Sequence, residues 1–168
     1  MGAMPMTVRR ARVDELEALC ALEVEADGAF ALVGLAGVLS APPPHVEAFR
    51  AAAESSRLFV ATDTRERVVG FVRLALLDGH AHVEQLSVHP AYAGHGIGAE
   101  LLTVAAGWAL GRGGDRLTLT TFRNVPWNGP YYERLGWVVL PAGQLGPDLA
   151  ATRANAGSGS TSLHGRPW

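Results

Sequence analysis

The chain has 168 residues, 48% of them hydrophobic, and a formal net charge of −2. That length suits one domain with its own core, and the near-neutral charge argues against broad capture of nucleic acid. Cys20 is the single cysteine, so an intrachain disulfide is excluded, and no apolar stretch approaches the roughly 20 residues of a membrane span. We therefore expect a cytoplasmic protein with no membrane or nucleic-acid partner; whether it forms a homodimer is left open.

Hydrophobic periodicity and breaker residues predict an alternation of strands and helices. In chain order the predicted elements are a strand at 7–12, a helix at 14–25, a loop or broken helix at 27–40, a helix at 45–56, strands at Leu58–Thr62, Val68–Leu77 and His80–Val88, a helix at 98–112, a strand at 116–121, a helix at 128–135, a strand at 136–140 and a helix at 147–156. Asp78-Gly79 predicts a hairpin between two of the strands. Residues 1–168 are interpreted as a single domain, in which 156–168 form a flexible tail or an edge strand.

Three glycines alternate at Gly94, Gly96 and Gly98, where the fourth predicted strand passes into a helix. Glycine lets the backbone bend sharply and approach a ligand, and a helix N-terminus offers unpaired N–H groups to an anion. The spacing does not match the G-x-G-x-x-G dinucleotide fingerprint, and a chain without lysine has no Walker loop. The turn therefore predicts a phosphate-bearing ligand of another kind.

Two segments carry a resemblance to a known family. LSVHPAYAGHGIGAELL, residues 86–102, resembles the acetyl-coenzyme-A signature of the Gcn5-related N-acetyltransferases (GNAT), and NVPWNGPYYERLGW, residues 124–137, resembles a second motif of that family. The resemblance covers roughly residues 7–140. It implies an α/β (α+β) fold with a mixed, mostly antiparallel central sheet, a parallel splayed strand pair and flanking helices. Ala93 stands where the family usually has Arg or Gln, His95 replaces a frequent second basic residue, and the chain is bulkier than the family near Trp127.

The resemblance also implies which residues bind the cofactor, acetyl-CoA. The family pattern places the pyrophosphate on backbone amides of the turn, the pantetheine arm on the backbone of the preceding strand, and a further contact on an asparagine. The implied cofactor-binding residues are Gly94, His95, Gly96, Ile97, Gly98 and Ala99 for the pyrophosphate, Leu86, Ser87 and Val88 for the pantetheine, and Asn124.

Two side chains match catalytic positions of the family. Tyr132 corresponds to a general acid that protonates the departing thiolate, although it is also readily interpreted as a core aromatic residue. Glu84 lies where many members carry a general base; the alternatives are a solvated glutamate or one paired with Arg73. His80 and His82 share a strand, but no third ligand is apparent, so no metal site is predicted.

The acceptor is expected to lie against residues 27–45 and 125–137, because loops carry specificity on such scaffolds. The candidate substrate-binding residues are Phe30, His82, Trp127 and Tyr131. The predicted function is transfer of an acetyl group from acetyl-CoA to a primary amine of a small molecule, by direct attack in a ternary complex. The alternatives are a non-catalytic acyl-CoA sensor and a protein N-terminal acetyltransferase.

Overall fold

The computed structural model describes residues 4–31, 46–123, 125, 128–156 and 160–165, without the side chains of 29–31. The helices are α1 (Leu16–Ala31), α2 (Val46–Glu54), α3 (Ile97–Gly111), α4 (Gly129–Arg134) and α5 (Pro147–Asn155). The strands are β1 (Thr7–Arg10), β2 (Leu58–Thr62), β3 (Val68–Leu77), β4 (His80–Val88), β5 (Leu117–Phe122), β6 (Val138–Val139) and β7 (Ser160–Gly165). Within these ranges, no helix has the length and apolar character needed to cross a membrane.

The strands form one sheet in the order β1-β2-β3-β4-β5-β7-β6. β4 and β5 are parallel, with Ala81 opposite Leu117 and Val83 opposite Leu119. The pairs β1–β2, β2–β3, β5–β7 and β6–β7 are antiparallel. The predicted mixed, mostly antiparallel sheet with one parallel pair is thereby confirmed.

Two compact units divide the chain, one comprising Met1–Arg73 with Gln85–Val104 and the other Leu74–Glu84 with Ala105–Trp168. In the first unit, apolar side chains of α1 and α2 pack on those of β2 and β3, and all of them are almost completely buried. The helices contribute Leu16, Leu19, Leu22, Phe49 and Ala52, and the strands contribute Leu58, Val60 and Phe71. Burial of these side chains is the main favourable term for this unit, at about 1.5–3 kcal/mol for each large residue.

The hairpin between β3 and β4 forms at the predicted dipeptide. Asp78 and Gly79 have φ angles of 51° and 78°, as a type I′ turn requires at its two central positions. The Asp78 carboxylate also accepts hydrogen bonds from the amides of Asp148 and Leu149, both at 2.9 Å, and so caps the first turn of α5. The sequence pattern predicts the turn but not this second role.

α1 is longer than predicted. It continues to Ala31, so of the two alternatives for 27–40 the loop is wrong for residues 27–31, which are helical. Gly28 is exposed and a Cβ there would meet nothing within 4 Å, so one glycine costs the helix only about 1 kcal/mol. Burial of the earlier part of the helix outweighs that cost. The rest of that predicted segment, 32–40, lies outside the described residues.

β7 is the second difference from the predicted fold. Ser160–Gly165 was expected within a flexible tail or edge strand, but it lies between β5 and β6 and pairs with both. The edge-strand prediction is therefore wrong for these residues. Thr161, Ser162 and Leu163 are each no more than 1% exposed. A run of Ser and Thr residues has the composition of a linker. Here these residues are buried because β7 lies inside the sheet, where its backbone hydrogen-bonds to β5 and β6.

A buried histidine joins the parallel strands. His82 is 3% exposed, and its Nδ1 lies 2.9 Å from the Thr118 hydroxyl, which itself donates to the Ala81 carbonyl at 3.3 Å. Because the hydroxyl has only one proton, Nδ1 must be the donor to Thr118. Burial lowers the pKa of His82 to about 4, so the imidazole is neutral at pH 7.

This histidine predicts a loss of stability in mild acid. Between pH 6.5 and about 4 the unfolded chain protonates His82 while the folded protein does not, so the free energy of unfolding falls as the pH falls. We expect this contribution to approach 1.4 kcal/mol per pH unit at most. Urea denaturation at pH 7, 6 and 5 measures it. His82→Asn keeps a donor to Thr118 without a titrating group, and equal pH slopes for the two proteins would contradict the assignment.

Candidate active site

The predicted glycine turn connects β4 to α3. Gly94 and Gly96 have φ angles of 78° and 80°, in the left-handed region that residues with a Cβ rarely adopt. A Cβ on either residue would meet nothing within 4 Å. These two glycines are therefore required by the backbone conformation, and the space above each of them is open.

The turn presents a row of unpaired backbone donors. Among the described residues, no acceptor contacts the amides of Gly94, His95, Gly96, Ile97, Gly98 or Ala99; the next amide, of Glu100, donates to the Gly96 carbonyl at 3.1 Å. The last three of these six amides belong to the first turn of α3, a 15-residue helix whose N-terminus carries the positive end of its dipole. Such a row can bind an anion such as a phosphate group.

His89 fixes the start of the turn. Its amide donates to the Val69 carbonyl of β3 at 2.8 Å, and its Nδ1 accepts from the amide of Ala91 at 3.1 Å. Since Nδ1 is an acceptor, the ring proton is on Nε2, which lies 2.8 Å from a carboxylate oxygen of Glu25 on α1. One imidazole thus joins the turn to α1, while the backbone amide beside it joins the turn to β3.

The two positions at which the resemblance implies Arg or Gln and a second basic residue differ here. Ala93 has no side-chain donor. The Nδ1 of His95 lies 3.1 Å from the Tyr92 carbonyl and 3.0 Å from the Ala93 carbonyl, so it must carry a proton. In the neutral ring, Nε2 therefore has only a lone pair. Most of the binding capacity of the turn resides in its amides.

Gly70 lets α3 begin close to β3. A Cβ there would lie 3.1 Å from Ile97 Cγ2, 3.1 Å from the Ser87 carbonyl oxygen and 3.2 Å from Leu101 Cδ1. These contacts are tighter than ordinary packing, so a larger residue would displace the first turn of α3 or the end of β4. No local sequence signal predicts this requirement, because the contact joins segments distant in the chain.

Tyr132 lies in α4 among aromatic rings. It is 7% exposed, and its ring centroid is 5.2 Å from that of Tyr131 and 5.8 Å from that of Trp137, both in edge-to-face geometry. Burial, with a smaller effect of the neighbouring Tyr131, raises the pKa of its phenol well above the ordinary value. The phenol is therefore protonated at neutral pH. This environment is compatible with a general acid and with a core aromatic residue, so the catalytic role stays a prediction.

The other predicted site residues fall in differing environments. Glu84 is exposed on β4, Leu86 and Val88 are half-buried, and Ser87 is buried and accepts from Gln85 Nε2 at 3.0 Å. His82 is buried against Thr118, and Tyr131 is half-buried, so that burial raises the pKa of its phenol. Asn124, Trp127 and the side chain of Phe30 lie outside the described residues. In the described part of the chain, no group of three or more His, Cys, Asp or Glu residues could hold a metal ion.

Solved structures of similar fold are acetyltransferases. PaiA N-acetyltransferase from Thermoplasma acidophilum, in complex with coenzyme A, has a TM-score of 0.73 at 16% identity, over 97% of this chain and 99% of that one. The ribosomal-protein-S18-alanine N-acetyltransferase from Escherichia coli has a TM-score of 0.65 at 18% identity, over 96% and 94% of the two chains. N-acetylglutamate synthase from Neisseria gonorrhoeae, complexed with coenzyme A and N-acetyl-glutamate, has a TM-score of 0.76 at 17% identity, over 99% of this chain and 36% of that longer one.

At these identities the structural similarity shows the fold alone, and the family is shown by a match of the sequence. The sequence profile of the Acetyltransferase (GNAT) family matches residues 16–137, which include the glycine turn, Glu84 and Tyr132. The chain belongs to the GNAT acetyltransferase family.

Proposed function

We propose that this chain binds acetyl-CoA at the glycine turn and transfers the acetyl group to a primary amine of a small molecule. The observation that carries the proposal is the row of open amides between β4 and α3, in a chain of the GNAT family. Coenzyme A bound to relatives of the same fold adds support. The expected cytoplasmic location stays a prediction.

Recognition of the coenzyme would depend mainly on backbone groups. The amides from Gly94 to Ala99 would hold the pyrophosphate, and the backbone of Leu86, Ser87 and Val88 would pair with the pantetheine arm as with an added strand. Asn124 is the remaining contact implied by the family pattern. Backbone donors fixed by φ angles need no side-chain ordering on binding, which limits the entropic cost of association.

The chemistry needs one base and one acid. The neutral amine attacks the thioester carbonyl carbon, a C–N bond forms, and the C–S bond breaks to release the coenzyme thiolate. Glu84, directly or through water, would accept the proton that the amine loses, and Tyr132 would protonate the sulfur. A backbone N–H near Leu86–Val88 would stabilise the oxyanion that develops on the carbonyl oxygen.

The acceptor is proposed to be a small, partly apolar amine. Residues 27–45 carry one acidic side chain, Asp27, whereas a polycationic acceptor would favour several carboxylates. Phe30, His82, Trp127 and Tyr131 are the side chains proposed to line the acceptor site.

A thiol-release assay tests the function. We expect acetyl-CoA-dependent thiol release with at least one small primary amine from a panel that spans monoamines, polyamines and amino acids. Turnover only with peptides bearing a free N-terminus would favour the protein N-terminal acetyltransferase. Binding of acetyl-CoA without turnover of any amine or peptide would instead favour the acyl-CoA sensor.

Substitution of a turn glycine should abolish the coenzyme site. Gly96→Ala forces a Cβ into the left-handed region, and a turn that relaxes away from this conformation in the free protein would bind up to about tenfold more weakly. Gly96→Asp adds a negative charge beside the phosphates. Isothermal titration with coenzyme A measures both. Gly107→Asp adds the same charge at an exposed position of α3 with open space around it, so we expect unchanged affinity. Normal binding by Gly96→Asp would refute the turn as the phosphate site.

Removal of the Tyr132 hydroxyl should slow the chemical step. We expect Tyr132→Phe to lower kcat by about 10²-fold with little change in the KM for acetyl-CoA, because a general acid acts in the transition state. Tyr131→Phe removes the neighbouring hydroxyl and should change the KM for the amine instead. Thermal denaturation checks that both variants fold. Full turnover and an unchanged pH profile of Tyr132→Phe would rule out the acid role.

A further inference from the structure

The turn between β2 and β3 contacts the segment that leads into the glycine turn. The Tyr92 hydroxyl donates to Asp63 Oδ2 at 3.0 Å, and Arg67 Nη2 donates to the Tyr92 hydroxyl oxygen at 2.8 Å. Tyr92 stands two residues before Gly94. The three side chains Asp63, Arg67 and Tyr92, which we call the clasp, therefore tie the β2–β3 turn to the start of the candidate phosphate site.

Asp63 contacts both of the other side chains of the clasp. Its side chain is 7% exposed; Oδ1 accepts from the amides of Arg65 at 2.9 Å and Arg67 at 3.0 Å, and Oδ2 lies 2.7 Å from Arg67 Nη2. Burial alone would raise the pKa of this carboxyl, but the hydrogen bonds from Arg67, Arg65 and Tyr92 outweigh it and lower the pKa to about 2. Asp63 is therefore ionised under ordinary conditions and holds the arginine in one position.

The guanidinium of Arg67 has more hydrogen-bond donors than the clasp uses. A guanidinium has five N–H groups, and Arg67 uses Nε on Asp63 at 2.9 Å and Nη2 on both Asp63 and Tyr92. The two N–H groups on Nη1 have no acceptor among the described residues. The side chain is 61% exposed, so these two donors are available to a ligand. Arginine in such an ordered, forked geometry is well suited to phosphate oxygens.

The glycine turn itself lacks a permanent cation. Ala93 is apolar, and His95 uses Nδ1 on two backbone carbonyls, which leaves a single ring nitrogen for any ligand. Coenzyme A carries several phosphate charges, and an anion of that kind is bound most tightly where a cation supplements the amides. Arg67 is the arginine that the described hydrogen bonds tie to this turn.

We propose that Arg67 is a coenzyme-binding residue, whose Nη1 donates to phosphate oxygens of coenzyme A and replaces the cation missing at Ala93. The inference rests on the proposed function, since it assumes that the glycine turn holds the coenzyme. Tyr92 and Asp63 are positioning residues, because they orient the guanidinium and need not touch the ligand.

Titration calorimetry with three ligands tests the proposal. We expect Arg67→Gln to weaken binding of coenzyme A about tenfold and to reduce the salt dependence of its Kd, while binding of pantetheine, which has no phosphate, is unchanged. Arg65→Gln, in the same turn, should bind all three ligands like the parent protein. Dephospho-coenzyme A lacks the 3′-phosphate. If Arg67→Gln also weakens binding of this ligand, the contact is with the pyrophosphate; if its binding is unchanged, the contact is with the 3′-phosphate.

Tyr92→Phe distinguishes a direct contact of Arg67 with the coenzyme from a role of the clasp in holding the turn in place. It removes both hydrogen bonds of the phenol but leaves the charge of Arg67 and its bonds to Asp63, so we expect most of the affinity and the full salt dependence to remain. The proposal is overturned if Arg67→Gln binds coenzyme A like the parent protein, or if Tyr92→Phe reproduces its whole loss. Failure of the parent protein itself to bind coenzyme A would instead contradict the proposed function.

Discussion

The left-handed backbone of Gly94 and Gly96 is the constraint on which the rest of the candidate site depends. With these φ angles the chain leaves β4, reverses and enters α3, and six amides have no acceptor in the part of the chain that the structure describes. Unpaired amides are tolerated only where water or a ligand can reach them, and the open space above both glycines meets that condition. The free protein therefore presents a donor row that a phosphate group would satisfy without a large rearrangement.

The contacts that support the turn leave this donor row free. His89 joins it to α1 through Glu25, and Tyr92 joins it to the β2–β3 turn through Asp63. Gly70 brings the first turn of α3 close to β3. Each contact uses a side chain or a residue outside the row of amides. The atoms that hold the turn in place are thus different from the amides that can bind a ligand. This arrangement is expected of a preorganised binding site.

Local sequence signals predicted the parts of the structure whose causes are local. The bounds of β2, β3 and β4 agree with the predicted strands because apolar runs end there at turn residues, and the Asp78-Gly79 hairpin and the glycine turn need particular φ angles. β7 was misassigned because burial of its Ser and Thr residues depends on two partner strands. The contacts of Tyr92 with Asp63 and of His89 with Glu25 join residues 29 and 64 positions apart, and no local pattern encodes them.

The burial of Tyr132 sets a condition on the proposed chemistry. A phenol with a raised pKa is reliably protonated, but it is a weak acid toward a thiolate whose conjugate thiol has an ordinary pKa near 8.5. The same loss of solvent that raises the pKa of the phenol also raises that of a thiol in its vicinity, because both anions lose hydration. Proton transfer from Tyr132 is therefore favourable only if the bound coenzyme sulfur is desolvated together with the phenol. Binding of the coenzyme would in that case prepare the acid as well as deliver the acetyl group.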